Sequence, residues 1–414
     1  MILFYFVILF SAVPNHPWFG YEHHGFNLIK VVGLLCVFYA LFHLTLQGRF
    51  PVFFATWPSR LFALLIFLAC LSYALKGSVQ DPSSSRTALT IYMEYFTLFL
   101  ITVAIVDSSE RLRYSLYAFI GAFAFGSLYT LREFQNAGFA VGYRPGFVVL
   151  DGNYFSAAAL LAIPLAYSLA RVRRAPWERC FCVASLGITV LAVVVIASRG
   201  GFIGLCASIL FLLIHSKHRA GVALLAFALI PILIYAPSSP IHRILNPDYG
   251  DQASTRIHLI VWKEGLNLVA AHPISGIGLG TFWSTIERQN LFGSNRGLLA
   301  HNTYLEYAAE LGVLGLLVYL GILISTYRLL ELVKQKATAV EDMFSYAAAT
   351  GIQAGIPGFV VAAFFFSAEY EKPLWIMLSL SICLLNVTHS KYAAKQKAES
   401  LHSTGLVRAR LKTA

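Results

Sequence analysis

The sequence predicts an all-α, polytopic membrane protein of about 12 transmembrane helices, on three observations. Hydrophobic residues make up 58% of the 414 and charged residues only 12%, with a mean hydropathy of +0.68; a water-facing surface could hardly sustain that balance. Apolar runs near the roughly 17 to 25 residues needed to cross about 30 Å of hydrocarbon recur along most of the chain. Lys and Arg are shared unequally between the short connections, as the positive-inside rule requires.

The runs lie near 1–13, 27–46, 59–76, 87–106, 114–131, 154–171, 180–197, 201–215, 220–236, 302–326, 343–366 and 372–389. The first lacks a basic n-region and a small-residue cleavage site, so it reads as a helix rather than a cleaved signal. With the N-terminus inside, the cytoplasmic connections hold Arg49, Arg60, Arg111, Arg113, Arg171, Arg173, Arg174, Arg179, Lys217, Arg219, Arg328, Lys334 and Lys336, joined by a basic tail at 391–414. The opposite face holds a smaller set: Lys76, Arg86, Arg132, Arg144, Arg199 and Lys372, plus Arg243, Arg256, Lys263, Arg288 and Arg296 in one long loop. The net charge of +11 is therefore a topology signal and an attraction to anionic membrane lipids, not a footprint for nucleic acid. Both termini are expected in the cytoplasm.

Residues 1–390 read as a single transmembrane domain interrupted by one large external loop, 237–300, and 391–414 as a frayed tail. Within the loop, Ser254 or Thr255 can cap a helix whose Ile257, Ile260, Val261, Leu266 and Val269 would pack on the bundle or the membrane. After His272-Pro273, the run Gly276-Ile277-Gly278-Leu279-Gly280 superficially resembles a phosphate-binding loop. No strand precedes it, so tight backbone turning is the better reading. Cys36, Cys70, Cys180, Cys182, Cys206 and Cys383 lack metal-ligand spacing and read as buried small hydrophobes.

Charged groups at membrane depth are expensive and mark function by default. At Ser198-Arg199-Gly200-Gly201 a permanent cation sits between two apolar runs with almost no loop. Its guanidinium fork suits phosphate oxygens, and the paired glycines would let a bulky anion approach the backbone. A snorkelling interfacial Arg is the plain alternative. Arg256, near His258, Trp262, Lys263 and Glu264, equally fits a solvated helix face. At His301-Asn302-Thr303-Tyr304-Leu305-Glu306, where the loop returns to the bilayer, His301 can take up a proton near neutral pH. Asn302 could cap the helix or orient the ring, and Glu306 and Glu310 lie four apart on one helical face. In isolation His301 also fits a satisfied interfacial histidine.

Taken in order, Arg144-Pro145-Gly146, Asp151-Gly152-Asn153, Ser198-Arg199-Gly200, Arg256 through Trp262, His272-Pro273 with Gly276 and Gly278, and His301-Asn302 through Glu310-Leu311-Gly312 resemble the O-antigen ligase and polymerase superfamily of envelope glycan transferases. The likeness spans most of residues 140–320; Asp151-Gly152-Asn153 departs from the more usual Asp-Pro-Asn. It implies a GT-C-type membrane glycosyltransferase acting at the periplasmic face of the inner membrane. The donor would be an undecaprenyl-diphosphate-linked glycan and the acceptor a sugar hydroxyl of lipid A-core, with no metal and no cofactor. External acidic residues agree on the metal, since no Asp-x-Asp pair is present to hold one over a nucleotide sugar. The resemblance gives His301 the role of catalytic base and Arg199, Arg256 and Arg144 the donor diphosphate, with Asn302, Glu306, Asp151 and Asn153 in support.

Within that superfamily the expected activity is ligation. The external loop is modest, and the chain stops soon after the twelfth run, without the added region expected of many protein-modifying relatives. Polymerisation of the glycan and protein O-glycosylation remain alternatives. A polysaccharide or lipid transporter would be expected to show pseudo-symmetric halves, which the sequence lacks. Acceptor recognition is expected in 237–300 and in the aromatic-rich 14–26 segment.

Overall fold

A computed structural model describes residues 1–11, 28–47, 53–140, 142–146, 152–172, 175–216, 219–235, 239–289, 298–368 and 371–412; the 14–26 segment and Asp151 lie outside them. Among the described residues every regular element is a helix. Its elements are α1 (Ile2–Ser11), α2 (Leu28–Gln47), α3 (Trp57–Ser72), a π-helical turn (Tyr73–Gly77), α4 (Ser78–Gln80), α5 (Pro82–Ile105), α6 (Ser109–Asn136), α7 (Gly152–Ala170), α8 (Pro176–Ile196), α9 (Arg199–His215), α10 (Arg219–Tyr235), α11 (Pro240–Leu245), α12 (Tyr249–Ala271), α13 (Phe282–Arg288), α14 (Thr303–Ala339), α15 (Met343–Ala362) and α16 (Lys372–Lys412).

Every apolar run of the sequence falls on a helix. Among the described residues, 7 segments are long and apolar enough to cross a bilayer: Trp57–Gln80, Pro82–Ile105, Ser109–Asn136, Gly152–Ala170, Pro176–Ile196, Thr303–Ala339 and Lys372–Leu401. α2, α9 and α10 are shorter apolar helices, and α1 and α15 take the two remaining runs. The protein is thus a multi-pass membrane protein. Its outward helix faces keep large apolar side chains such as Phe38, Phe67 and Phe227 exposed, which suits a lipid solvent. The same reasoning corrects the reading of the cysteines: Cys36, Cys182 and Cys383 are buried, but Cys70, Cys180 and Cys206 are exposed.

α7 is buried along nearly its whole length and packs chiefly on α15, which also packs on α9. Small residues permit this. A Cβ on Gly351 would lie 2.6 Å from the Leu165 Cα, and one on Gly204 would lie 2.5 Å from the Gly358 carbonyl oxygen, the close backbone approach typical of membrane helices. α14 packs on α3, α15 and α16. The C-terminal segment departs from its expected fraying: α16 continues as helix through Lys412.

The segment between α10 and α14, with the start of α14, forms a second, smaller core of Val261, Leu268, Ile277, Phe282, Ile286, Ala300, Leu305 and Ala309. Its principal helix starts earlier than expected. Asp248, not Ser254 or Thr255, caps α12, its carboxylate accepting the Asp251 N–H at 2.7 Å. Ile257, Val261 and Val269 face the core as predicted. Ile260 and Leu266 point outward, Leu266 being 62% exposed, because the buried stripe continues through Leu268 at helical period.

The glycine run turns the backbone, as read. Gly276, Gly278 and Gly280 all have positive φ, and so does Gly312 inside α14, where φ is 73°. The two irregularities lock together. Ile277 N–H donates to Ala309 O at 2.8 Å, Gly278 N–H to Glu310 O at 3.2 Å, and Val313 N–H to Pro273 O at 2.8 Å. The Glu310 carboxylate accepts the Gly280 N–H at 2.8 Å and the Phe282 N–H at 3.1 Å. α3 and the turn after it add Ser72, whose hydroxyl accepts from Leu279 N–H at 2.9 Å, and Lys76, whose ammonium donates to Gly276 O at 2.6 Å.

A Cβ on Gly312 would meet Ile274 O at 2.2 Å, in a left-handed backbone that L-residues adopt at a cost. Gly312→Ala is therefore expected to destabilise the protein by at least ~1–3 kcal/mol, measured as a lowered Tm in detergent. Gly33→Ala, in α2 with open space around its Cβ position, should leave Tm unchanged or slightly raised.

Candidate active site

α8 ends at Ile196, Ala197 takes a left-handed conformation with φ 55°, and Ser198 caps α9 by accepting the Gly201 N–H at 3.2 Å. This is why two long apolar runs meet with almost no loop. The carbonyls at the end of α8 attract cations, as a helix C-terminus does. Arg144 Nε donates to Ile196 O at 3.4 Å, and Arg243 Nη1 donates to Ala197 O at 2.7 Å. Arg199 itself opens α9, so three guanidinium groups meet at one turn. Arg144 also donates to Asn153 Oδ1 at 2.9 Å, which joins two residues predicted to act together.

The glycines after Arg199 have a different cause from the one expected. A Cβ on Gly200 would lie 2.9 Å from Phe365 Cβ, and one on Gly201 would lie 2.6 Å from Ser156 Cβ. They make room for α7 and for the turn that follows α15.

α12 presents Asp251, Thr255, His258 and Trp262 at spacings of four, three and four, which is one face of a helix. Asp251, 4% exposed in its side chain, is ion-paired with Arg243, whose Nη2 donates to Oδ1 and whose Nε reaches Oδ2 at 3.3 Å. Arg199 approaches the same carboxylate only to 4.0 Å, and Thr255 Oγ1 to 3.5 Å. Arg243 thus takes most of the negative charge, and the 30% exposed Arg199 fork is left turned toward the site with two long contacts.

One turn along, the His258 ring lies 4.9 Å from the His301 ring and stacks toward Trp262 at 6.4 Å. Burial, and then the neighbouring His301 and Arg199, push the His258 imidazole down to about 4. It is neutral at physiological pH, with a lone pair available on one nitrogen. Trp262 Nε1 donates to Ala300 O at 2.8 Å, tying the helix to the residue before His301.

His301 sits at φ 47°, a left-handed conformation in which His is found more often than most residues. Its N–H donates to Ser367 Oγ at 3.1 Å, and the Ser367 hydroxyl donates to Glu306. Asn302 caps α14, its Oδ1 accepting the Tyr304 and Leu305 N–H groups at 3.1 Å each; of its two predicted uses, the structure has the cap. Thr303 N–H donates to Ala363 O and Phe366 O, anchoring the turn that also carries Ser367 and Phe365.

The structure therefore brings Arg144, Asn153, Arg199, His301, Asn302 and Glu306 into one region. Arg256 is exposed on α12, one residue past Thr255 and off the stripe that faces His301. Sequence reasoning assigned no site role to Asp251, Arg243, His258 or Ser367, although His258 stands within the Arg256–Trp262 motif. The helical spacing of Asp251, Thr255, His258 and Trp262 is the signal that could have found the first and third of these.

Residues 184–320 match the Wzy_C family model, described as O-Antigen ligase. That range contains Arg199, Arg243, Asp251, His258 and His301; Arg144 and Asn153 precede it. The chain is also similar to the exopolysaccharide production protein ExoQ of Rhizobium meliloti (strain 1021), at 24% identity over 295 residues, covering 64% of each chain. The match thus spans less than two thirds of that relative. The family resemblance carried by the motifs is borne out.

Two outcomes follow from this electrostatic arrangement. Asp251→Asn leaves the part-buried Arg243 without its counter-charge and should destabilise by about 3–5 kcal/mol, the range for breaking a buried pair; adding Arg243→Met should recover part of the lost Tm. His258 binds its proton less readily folded than unfolded, where an imidazole titrates near 6.5. The unfolded chain then holds more protons between about pH 6.5 and 4, so this contribution is present above that window and is lost as pH falls through it. Comparing thermal stability across that range, His258→Asn should show a shallower decline than the parent.

Proposed function

We propose, with the O-antigen ligase match as the premise, that this chain is a membrane glycosyltransferase of lipopolysaccharide biosynthesis. It moves a glycan from an undecaprenyl-diphosphate carrier to a sugar hydroxyl of lipid A-core. What carries the reading is the meeting of the Arg144, Arg199 and Arg243 turn with the His258–His301 pair on one face of α12. The first supplies fixed positive charge for a diphosphate; the second sets the neutral His258 imidazole against the His301 ring beside it.

In this reading residues 1–390 cross the bacterial inner membrane twelve times in a GT-C-type arrangement, with 237–300 periplasmic and both termini, including the 391–414 tail, cytoplasmic. Arg199, with Arg144, binds the donor diphosphate through charge-assisted hydrogen bonds, and Arg256, exposed off the stripe that faces His301, is the third cation assigned to it from the outer side. His301 accepts the proton of the attacking hydroxyl as its oxygen bonds to the donor anomeric carbon. The bond from that carbon to the diphosphate oxygen breaks, and its electron pair leaves with undecaprenyl diphosphate, whose charge the arginines stabilise. Attack from the face opposite the leaving group inverts the anomeric configuration. The cations do the work a divalent metal does elsewhere. His258 holds the His301 ring, and Glu306 acts through Ser367 on the His301 backbone.

A second reading has support from the printed description of the relative. Exopolysaccharide production fits a polymerase, in which the attacking hydroxyl belongs to another lipid-linked repeat; the site chemistry is the same.

The deciding experiment is gel profiling of lipopolysaccharide in a ligase-deficient host with a matching core, with lipid-linked glycan followed in parallel. Restoration of the ladder on lipid A-core supports ligation. Loss of the protein leaving only single repeats on the core identifies a polymerase instead. His301→Ala should lower transfer by about 10²- to 10⁴-fold. Because Ala is strained at φ 47°, His301→Asn, which tolerates the left-handed backbone, should fall equally while keeping the parental Tm. Arg199→Lys keeps the charge but loses the fork and should raise donor KM markedly. Unchanged donor use by Arg199→Lys and Arg256→Lys alike would count against diphosphate binding there.

A further inference from the structure

Glu306 and Glu310 have a second setting. They line a cavity of about 340 Å³ together with Ser83, Ser84, Thr87 and Trp283, at the lower end of the ~300–1,000 Å³ range of small-molecule sites. The cavity shares no lining residue with the arginine turn.

Each wall has a distinct chemistry. Ser83, Ser84 and Thr87 stand on the first turns of α5, where Asp81 fixes the helix start by accepting the Ser84 N–H at 3.1 Å and the Ser83 hydroxyl at 3.0 Å. Hydroxyls both donate and accept, and can rotate to suit a guest. Trp283, the second residue of α13, is 45% exposed and offers a broad apolar face with a polar edge. Glu306 and Glu310 are 1% and 4% exposed. Each Glu310 oxygen accepts one backbone N–H, and a carboxylate oxygen has a further lone-pair site beyond that.

An indole face beside carboxylates and rotatable hydroxyls suits a neutral pyranose. The apolar ring face covers the indole, and adjacent sugar hydroxyls donate to the carboxylates in charge-assisted bonds. An anionic sugar would meet two buried carboxylates and be repelled. A bare cation fits poorly, because the amides of Gly280 and Phe282 point their positive ends at the same Glu310 oxygens. The cavity is linked to the residue that carries the base: Leu299, two residues before His301, is on its wall. Glu306 accepts from Ser367, which accepts the His301 N–H, so the wall of the cavity and the backbone of His301 are held by one hydroxyl.

We propose that this cavity is the acceptor-sugar subsite, taking a neutral hexopyranose whose free hydroxyl is presented to His301; the acceptor role rests on the transfer reading above. The test uses full-length protein in nanodiscs, labelled with 5-fluorotryptophan. The Trp283 resonance is assigned by its loss in Trp283→Phe, and the protein is titrated with methyl glucoside, methyl galactoside and methyl glucuronide. The neutral glycosides should shift the Trp283 signal saturably. The glucuronide should bind at least roughly tenfold more weakly, as should a neutral glycoside to Ser84→Val/Thr87→Val, the scale of a lost polar contact. A Trp283 signal indifferent to neutral glycosides, or equally responsive to the glucuronide, overturns the subsite. In a transfer assay with lipid-linked glycan and soluble core oligosaccharide, Trp283→Ala should raise acceptor KM roughly tenfold and leave donor KM unchanged. An effect confined to donor KM overturns the acceptor assignment. Glycoside binding at Trp283 in a protein that transfers no glycan keeps the subsite and sinks the transfer reading instead.

Discussion

The Glu310 carboxylate accepts two backbone N–H groups from the segment that follows α12, and the rest of the architecture between α11 and α14 depends on that buried contact. A carboxylate at 4% exposure is costly unless its oxygens are satisfied. Here the satisfaction comes from a segment thirty residues away in sequence, so folding must bring the turn onto α14 before the charge can be buried. Once docked, the turn forces α14 to break at Gly312, where Pro273 O takes the Val313 N–H. The nine residues N-terminal to the break then form a separate helical segment, and the orientation of that segment fixes where His301 stands.

A second constraint works by charge. Three arginines crowd the junction of α8 and α9, and among the described residues one buried carboxylate, Asp251, is placed beside them. Asp251 goes to Arg243, with two hydrogen-bonding contacts, while Arg199 is held at 4.0 Å. The positive field is therefore partly compensated and leans toward Arg199. It also falls on His258, which stays neutral because it is buried beside another imidazole and a guanidinium. One carboxylate thus sets which arginine keeps its donors for an anion, while burial, more than any charge, holds the neighbouring His258 neutral.

The helices were legible because the bilayer dictates their length and polarity, so twelve apolar runs became twelve helical elements with little help from tertiary packing. Arg199 and His301 were legible for the opposite reason, as charged or titratable groups where charge is expensive. Partner choice was not. Nothing local links Arg243 to Asp251, or Glu310 to the amides of Gly280 and Phe282; these pairings belong to the folded state. The glycines after Arg199 illustrate the same limit. A Gly-Gly step beside an Arg has the composition of an anion cradle, and only the positions of Phe365 and Ser156 reveal that both glycines also sit in close packing contacts. Ile260 and Leu266 point outward because apolar residues on an external helix can face either a protein core or a lipid surface, and periodicity alone does not distinguish the two.

The left-handed backbone at His301 gives the His-Asn step a physical reason. The chain arrives from the external segment and must turn sharply into α14, with the first helical amides left to be satisfied. Asn302 takes two of them with one oxygen, which requires its own backbone to be extended, and the residue before it must then reverse direction. Glycine would turn there freely but would carry no chemistry. An imidazole tolerates the turn and places a titratable ring at the bend, where Ser367 holds its backbone N–H and His258 faces its ring. The turn and the ring are therefore a single structural decision: the residue that reverses the chain is the one whose side chain enters the site, and the cap that follows keeps it from relaxing into the helix.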